Sequence, residues 1–258
     1  LPADKVELCQ ADLDDPAALE AALSGAAACV ICTGTTAFPT QAWSKSGEEG
    51  VLTTVIKALF EGDEAREEGL NPLELLKSRW QGMISKLDGQ GYNTPRNVDE
   101  KGTLAILKAW EAAAGAQRKR MIMLSSIGVQ RRTQMPFPVL NACGVLDAKA
   151  AGEEAIKADA AAAGYSYTIL RPGQLFGGPD DNNYYLGTLF QLDKDVETQG
   201  VDMARGDTLL GDTLRSTLAE VTAQLMESGS ALDLDFAVIN EKGEPPSVEG
   251  LRQKLASL

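Results

Sequence analysis

Two serines, Ser125 and Ser126, close a run of four apolar residues, Met121-Ile122-Met123-Leu124. Four apolar positions in a row suit a strand buried on both faces, as in a parallel sheet. Hydroxyl side chains at the carboxyl end of such a strand lie where open α/β sheets hold their ligands. A second small-residue loop, Thr33-Gly34-Thr35-Thr36, follows the apolar run at residues 27–32. It would let backbone come close to a ligand. A third strand is expected at residues 165–170, ended by Arg171-Pro172-Gly173. The chemistry open to these groups is binding and orientation of a ligand along one sheet edge. The chain has no histidine, which excludes a Ser-His-Asp triad, a histidine base and a histidine-ligated metal.

The spacing of Cys29 and Cys32 is that of a CxxC pair, but the pair lies within an apolar strand, where residues three apart point to opposite faces. With no second ligand pair following, buried free thiols in a reducing compartment are the expected state of Cys9, Cys29, Cys32 and Cys143. The net charge of −13 argues against nucleic acid and anionic lipid as partners. The short basic clusters Arg118-Lys119-Arg120 and Arg131-Arg132 are expected to be solvated loop ends. No run of about 20 apolar residues is present, so no transmembrane segment is expected.

The elements that position these groups follow a strand–helix rhythm. A strand is expected at residues 6–12. Asp14-Asp15-Pro16 then open a helix, with an N-cap carboxylate and a first-turn proline, which stops at Ser24-Gly25. With the strand at 27–32, this makes a parallel βαβ unit. The rhythm breaks at residues 44–92. There Val51, Val55, Ile56 and Leu59, and then Leu73, Leu76, Trp80, Met83, Ile84 and Leu87, recur at helical spacing. A helical hairpin inserted into the α/β domain is expected, with a polar link at 61–69. Its stripes must pack on each other, on the parent domain or on a partner. Helices are expected at 104–114, 141–163, 213–228 and 247–258, a loop at 177–183 and a late strand at 234–240.

These landmarks, in this order, resemble an atypical short-chain dehydrogenase/reductase of the NmrA-like NAD(P)-binding Rossmann family, in its plastid branch of plants and algae. The matching residues are Asp12, Cys32-Thr33-Gly34-Thr35-Thr36-Ala37-Phe38-Pro39, Asn93-Thr94-Pro95, Asn97-Val98-Asp99, Gly102, Leu124-Ser125-Ser126-Ile127-Gly128-Val129 and Thr168-Ile169-Leu170-Arg171-Pro172-Gly173. Gly206-Asp207, Gly211-Asp212, Arg215 and Ala219-Glu220-Val221 fit as well. The resemblance implies a doubly wound parallel sheet, one domain over residues 1–258 and a helical insertion at 44–92. It places Asp12 and Leu13 at the adenine of NAD(P), with NADP the favoured form, and lines the cofactor cleft with Thr33, Gly34 and Thr35. It sets Ser125 and Ser126 beside the nicotinamide, Lys149 on the nicotinamide ribose, and Pro172 and Gly173 against the nicotinamide ring. Read without the family, Asp12 is a capping carboxylate and Lys149 an exposed helical lysine.

Two departures stand out. The family's first strand, glycine-rich turn and helix are missing, and no GxGxxG occurs. The chain opens at Leu1-Pro2-Ala3 without methionine, so a start downstream of that unit is expected. The family's catalytic tyrosine, four residues before the lysine, is Val145, which cannot transfer a proton. Three functions stay open. One is a non-catalytic NAD(P)-binding auxiliary, assembly or structural component of a photosynthetic complex on the stromal side of the plastid. It would meet its protein partner through the helices at 51–60 and 73–87, with peripheral association to a membrane complex. Another is an NAD(P)H-dependent reductase of a small carbonyl or isoprenoid-type substrate, with Ser125, Ser126 and Lys149 as its catalytic residues. The third is an NADP(H) redox sensor.

Overall fold

The computed structural model describes residues 5–46, 50–60, 71–177 and 197–258. The expected link at 61–69 and most of the loop at 177–183 lie outside the described residues. The described chain divides into two compact units. One comprises Leu1–Ala26, Thr33–Arg118 and Arg132–Ala155; the other comprises Ala27–Cys32, Lys119–Arg131 and Ile156–Leu258.

The first unit is helical. Helix α1 (Pro16–Ala22) is capped by Asp15, whose carboxylate accepts from the Ala17 and Ala18 N–H groups at 3.1 Å each. Helices α2 (Leu52–Phe60) and α3 (Pro72–Gly89) are the two expected from the insertion. Val51, Val55, Ala58, Met83 and Leu87 bury together around Trp43 and Cys143. The stripes are thus largely spent on self-packing, while Leu52, Ile56 and Leu76 remain exposed. A π-helical segment (Arg96–Gly102) leads into α4 (Thr103–Ala114). A short turn of helix, α5 (Phe137–Leu140), comes before α6 (Val145–Ala163), of which residues up to Ala155 belong to this unit. Helix α6 starts at Val145 rather than 141. The Asn141 side chain instead accepts from Leu146 N and Asp147 N, at 2.8 and 3.2 Å, and caps it.

The second unit holds the sheet. Strands β1 (Ala28–Ile31), β2 (Arg120–Leu124) and β3 (Ser166–Pro172) run parallel, followed by β7 (Leu234–Glu241). Strand β5 (Gly200–Arg205) closes the far edge antiparallel to β7, giving the order β1-β2-β3-β7-β5. A separate parallel pair joins β4 (Gln174–Phe176) to β6 (Asp212–Leu214). Helices α7 (Arg215–Ser228) and α8 (Val248–Ala256) cover the sheet through Leu218, Val221, Leu225, Leu251 and Leu255, packed on Ile122, Leu170, Phe236 and Val238. This is an α/β protein with a mainly parallel central sheet, as expected.

Three expectations are corrected. Residues 6–12 are not a strand: they pair with nothing among the described residues, and Leu8 is 93% exposed. Alternation alone cannot make a strand where no neighbour supplies hydrogen bonds. The expected βαβ unit around α1 is therefore not formed by these residues. The helix expected from 213 begins at Arg215, because residues 212–214 pair with β4. The basic clusters are only in part solvated loop ends: Lys119 is exposed and Arg132 partly so, but their neighbours are not. Arg118 is buried over the Trp110 ring, and Arg120 is buried with its Nη2 on Thr168 Oγ1 at 2.7 Å and on Ser230 O at 3.0 Å. Burial lowers the Arg120 pKa, partly opposed by the charge of Asp233.

Candidate functional site

The parallel strands bring Cys32, Ser125 and Gly173 to one edge of the sheet. Ser125 is buried, and its N–H donates to Leu170 O at 2.7 Å. Ser126 is half-buried and donates its hydroxyl to Ile127 O at 2.9 Å. The Ile127 N–H continues the β2–β3 pairing to Pro172 O at 2.9 Å. Beyond it, the loop Gly128–Arg131 is clamped by the fully buried carboxylate of Asp207. That group accepts from Gly128 N, Gln130 N and Arg131 Nη2, each at 2.9 Å. Gly173 donates its N–H to Thr213 Oγ1 at 2.9 Å, and the Thr213 hydroxyl donates to Val238 O at 2.7 Å. The serines and the Pro172-Gly173 turn are thus held at one end of the sheet by hydrogen bonds with neighbouring strands and with Asp207.

The first unit gathers the other half of the expected residues. Thr33, Gly34 and Thr35 form an exposed to half-buried loop. Lys149, on α6, is buried, and its Nζ donates to Asp99 Oδ1 at 2.7 Å. The other oxygen of Asp99 accepts the Thr35 N–H at 3.3 Å, and Thr35 Oγ1 donates to Asn93 O at 2.9 Å. A Cβ on Gly34 would lie 3.2 Å from Asp99 Oδ1 and 3.3 Å from Lys149 Nζ, so the loop backbone passes tightly over the ion pair. Trp43 anchors the end of the loop, its indole N–H donating to Thr36 O at 3.1 Å.

Asp99 carries the centre of this cluster, yet sequence reasoning gave it no role. Among Glu100 and Lys101 it looks like a solvated helix start. Its one trace in the sequence is its place in the Asn97-Val98-Asp99 match; in the structure it lies in a π-helical segment, a register frequent at functional sites. Lys149 is not the exposed helical lysine its local sequence suggests. Asp12 is exposed and accepts the Asp14 N–H at 3.1 Å, a local turn. Leu13 packs against Gly102, where a Cβ would come within 2.7 Å of Leu13 Cδ1. Val145, which the resemblance sets in the place of the family tyrosine, is buried. Tyr165 is committed elsewhere, its hydroxyl donating to Asp159 at 2.7 Å.

The expectation of buried thiols holds for Cys29 and Cys143 and is corrected for Cys9 and Cys32, which are exposed. Cys9 lies on the segment before α1 that pairs with nothing among the described residues, and Cys32 on the face opposite Cys29. Burial, with a smaller push from Cys32, raises the Cys29 thiol from 9.0 to about 11. Burial does the same to Cys143, also to about 11, against a hydrogen bond from Trp80. Cys32, exposed at its surface but partly shielded by the surrounding chain, is raised by that desolvation as well. A thiol whose folded pKa stands above its unfolded value stabilises the fold fully below the unfolded value and loses that contribution as pH climbs through the folded one. Thermal stability is therefore expected to fall between pH 9 and 11, a fall that Cys29→Ala combined with Cys143→Ala reduces. Alkylation at pH 8 followed by mass spectrometry is expected to label Cys9 first and to spare Cys29 and Cys143 until denaturant is added. Among the described residues no group of three or more Cys, Asp or Glu is placed to hold a metal, and no helix is long and apolar enough to cross a membrane.

Lys149, Asp99 and the Thr33–Thr35 loop form one contact group within the first unit. The glycine lets the loop backbone approach the Lys149 ammonium closely, with no side chain between them. A glycine-rich pyrophosphate cradle is not among these residues, since the sequence contains no GxGxxG.

Residues 82–227 match the pattern of a family described as NAD(P)H-binding. No curated protein matches the chain. Among solved structures, the chain is similar to a Bacillus halodurans protein classed as an NAD-dependent epimerase/dehydratase, at 22% identity and a TM-score of 0.45, over 64% of this chain and 62% of that one. It is similar to the anaerobilin reductase ChuY of Escherichia coli O157:H7, at 15% identity and a TM-score of 0.42, over 66% and 73% of the two chains. A short-chain dehydrogenase/reductase of Veillonella parvula in complex with NADP matches at 11% identity and a TM-score of 0.45, over 92% and 74%.

Proposed function

The chain belongs to the NAD(P)H-binding family, and we propose that it binds NAD(P)H without tyrosine-dependent catalysis, serving as an auxiliary, assembly or structural component of a plastid complex. The observation that carries this reading is the fixed ammonium of Lys149 beneath Gly34 and Thr35, combined with a buried valine where a proton donor would stand. Lys149 would hydrogen-bond the nicotinamide ribose, and the loop Thr33-Gly34-Thr35 would lie along the cofactor. Asp12 and Leu13 would flank the adenine. Ser125, Ser126, Pro172 and Gly173 keep the nicotinamide-facing roles that the resemblance implies. Bound cofactor would supply hydride chemistry, and the protein's part is binding and orientation. NADP is the favoured form.

Fluorescence titration tests the binding. NADPH is expected to saturate the protein, and Lys149→Met to weaken binding by about tenfold, the scale of one charge-assisted hydrogen bond. Absence of NADPH and NADH binding to wild-type protein would sink the reading.

The auxiliary role rests on α2 and α3, where Leu52, Ile56 and Leu76 are 69%, 47% and 57% exposed after the hairpin has packed on itself. These are offered as the contact to a protein partner in a photosynthetic complex, on the stromal side. Paired substitutions Leu52→Asp and Ile56→Asp are expected to release the protein from a large assembly in gentle plastid extracts without changing its melting temperature. A wild-type protein that elutes as a monomer from such extracts contradicts this role.

The alternative of a reductase acting on a small carbonyl or isoprenoid-type substrate draws on the same ammonium, the one proton donor of the Lys149–Asp99 pair. It requires substrate-dependent NADPH oxidation that Lys149→Ala abolishes. A redox sensor requires a partner that binds the NADPH and NADP⁺ forms with different affinity.

A further inference from the structure

We infer that Asp99 is a positioning residue that sets Lys149 and the Thr33–Thr35 loop in one fixed arrangement; this rests on the NAD(P)H-binding reading above. Its side chain is 1% exposed, against 11% for that of Lys149. A carboxylate taken so far from water needs partners for both oxygens. Asp99 divides them between two elements remote in sequence. Oδ1 takes the Lys149 ammonium at 2.7 Å, and Oδ2 takes the Thr35 N–H at 3.3 Å.

The backbone that carries Asp99 is itself held, since Thr103 Oγ1 donates to Asp99 O at 2.8 Å. A buried ion pair contributes little net stability compared with a well-packed apolar pair, so core packing alone gives no reason for it. What it does supply is registration. A lysine on four rotatable bonds would otherwise extend its ammonium into water. Held by Asp99, the ammonium stays at one point under the loop backbone. Gly34 preserves that spacing, because a Cβ there would press on both partners at once. Asp99 acts through Lys149 and Thr35 and does not itself meet the ligand.

The test uses the full chain as wild type, Asp99→Asn, Lys149→Met, the double variant and Gly34→Ala, each checked for cooperative unfolding. One readout needs no cofactor: the acetylation rate of Lys149 relative to the exposed Lys119, followed by mass spectrometry. The other is the NADPH dissociation constant by fluorescence. Asp99→Asn is expected to let Lys149 swing out and acetylate several-fold faster. It is also expected to weaken NADPH about tenfold, with the double variant no weaker than Lys149→Met alone, as for residues acting through one contact.

Wild-type reactivity and affinity in a folded Asp99→Asn protein, or losses that add in the double variant, would overturn the inference. If Asp99→Asn does not fold, Gly34→Ala decides. Faster Lys149 acetylation supports the positioning role, and unchanged acetylation overturns it. If wild-type protein binds no NADPH, the cofactor reading fails by itself, and the acetylation arm still decides what Asp99 does to Lys149.

Discussion

Gly173→Ala is expected to lower the melting temperature of the cofactor-free protein by roughly 10 °C, corresponding to about 3 kcal/mol or more. A Cβ at position 173 would stand 1.9 Å from Gly211 O and 2.7 Å from Gly211 C, with Asp212 Cα at 3.1 Å. All three atoms are backbone, so no rotamer change relieves the clash. The neighbouring segment is also pinned, by the register of Gln174 with Asp212 and by the bond from Gly173 N to Thr213 Oγ1. Relief means separating β4 from β6. The family resemblance gives a different reason for this glycine, namely room for the nicotinamide ring. The two reasons separate in one measurement, differential scanning calorimetry without cofactor. A glycine kept only for the cofactor leaves that transition unchanged and removes NADPH binding alone. An unchanged transition would show that the close approach to Gly211 is not required by the fold.

The parts of this fold that could be read from sequence are those whose reasons are local. Asp15 and Pro16 announce α1 because capping and proline geometry act within one turn. The Met121–Leu124 run announces a doubly buried strand because burial on both faces leaves no polar alternation. Helical spacing located α2 and α3. What was not legible depends on partners distant in the chain. Strand β5, Gly200-Val-Asp-Met-Ala-Arg205, has no strong strand pattern and exists through its antiparallel register with β7. Residues 6–12 show the reverse, a strand-like stretch without a neighbour among the described residues. Arg120 and Arg131 look like surface charges until Thr168, Ser230 and Asp207 reach them from 48 to 110 residues away. The same limit hid Asp99, whose partners Thr35 and Lys149 lie 64 and 50 residues off. The strand ends that carry Ser125, Ser126, Pro172 and Gly173 were recoverable, since each strand has its own apolar run. The buried carboxylates that hold them in place were not.

Asp207 shows what such a carboxylate does for the serine edge. Asp207→Asn is expected to destabilise the protein by about 3 kcal/mol, toward the range for breaking a buried charged contact. Asparagine matches the shape but not the pattern of donors. Asp207 faces donors on both oxygens, with Gly128 N and Arg131 Nη2 on Oδ1 and Gln130 N on Oδ2. Whichever way an amide is turned, its NH₂ meets an N–H where an acceptor is needed. Arg131 also donates to Leu209 O at 2.6 Å, so it keeps one anchor while losing the carboxylate. The damage should therefore be largest at the loop rather than spread over the sheet. Hydrogen exchange is expected to show lost protection at the Gly128 and Gln130 amides, with the amides of β2 unchanged below the global transition. Gly128 makes the point sharper. Its φ of 89° is reached readily by glycine alone, so the loop is shaped to deliver its N–H groups to this one carboxylate. If both amides stay protected in Asp207→Asn, the loop is held by other contacts and the clamp is not what orders the segment following Ser125 and Ser126.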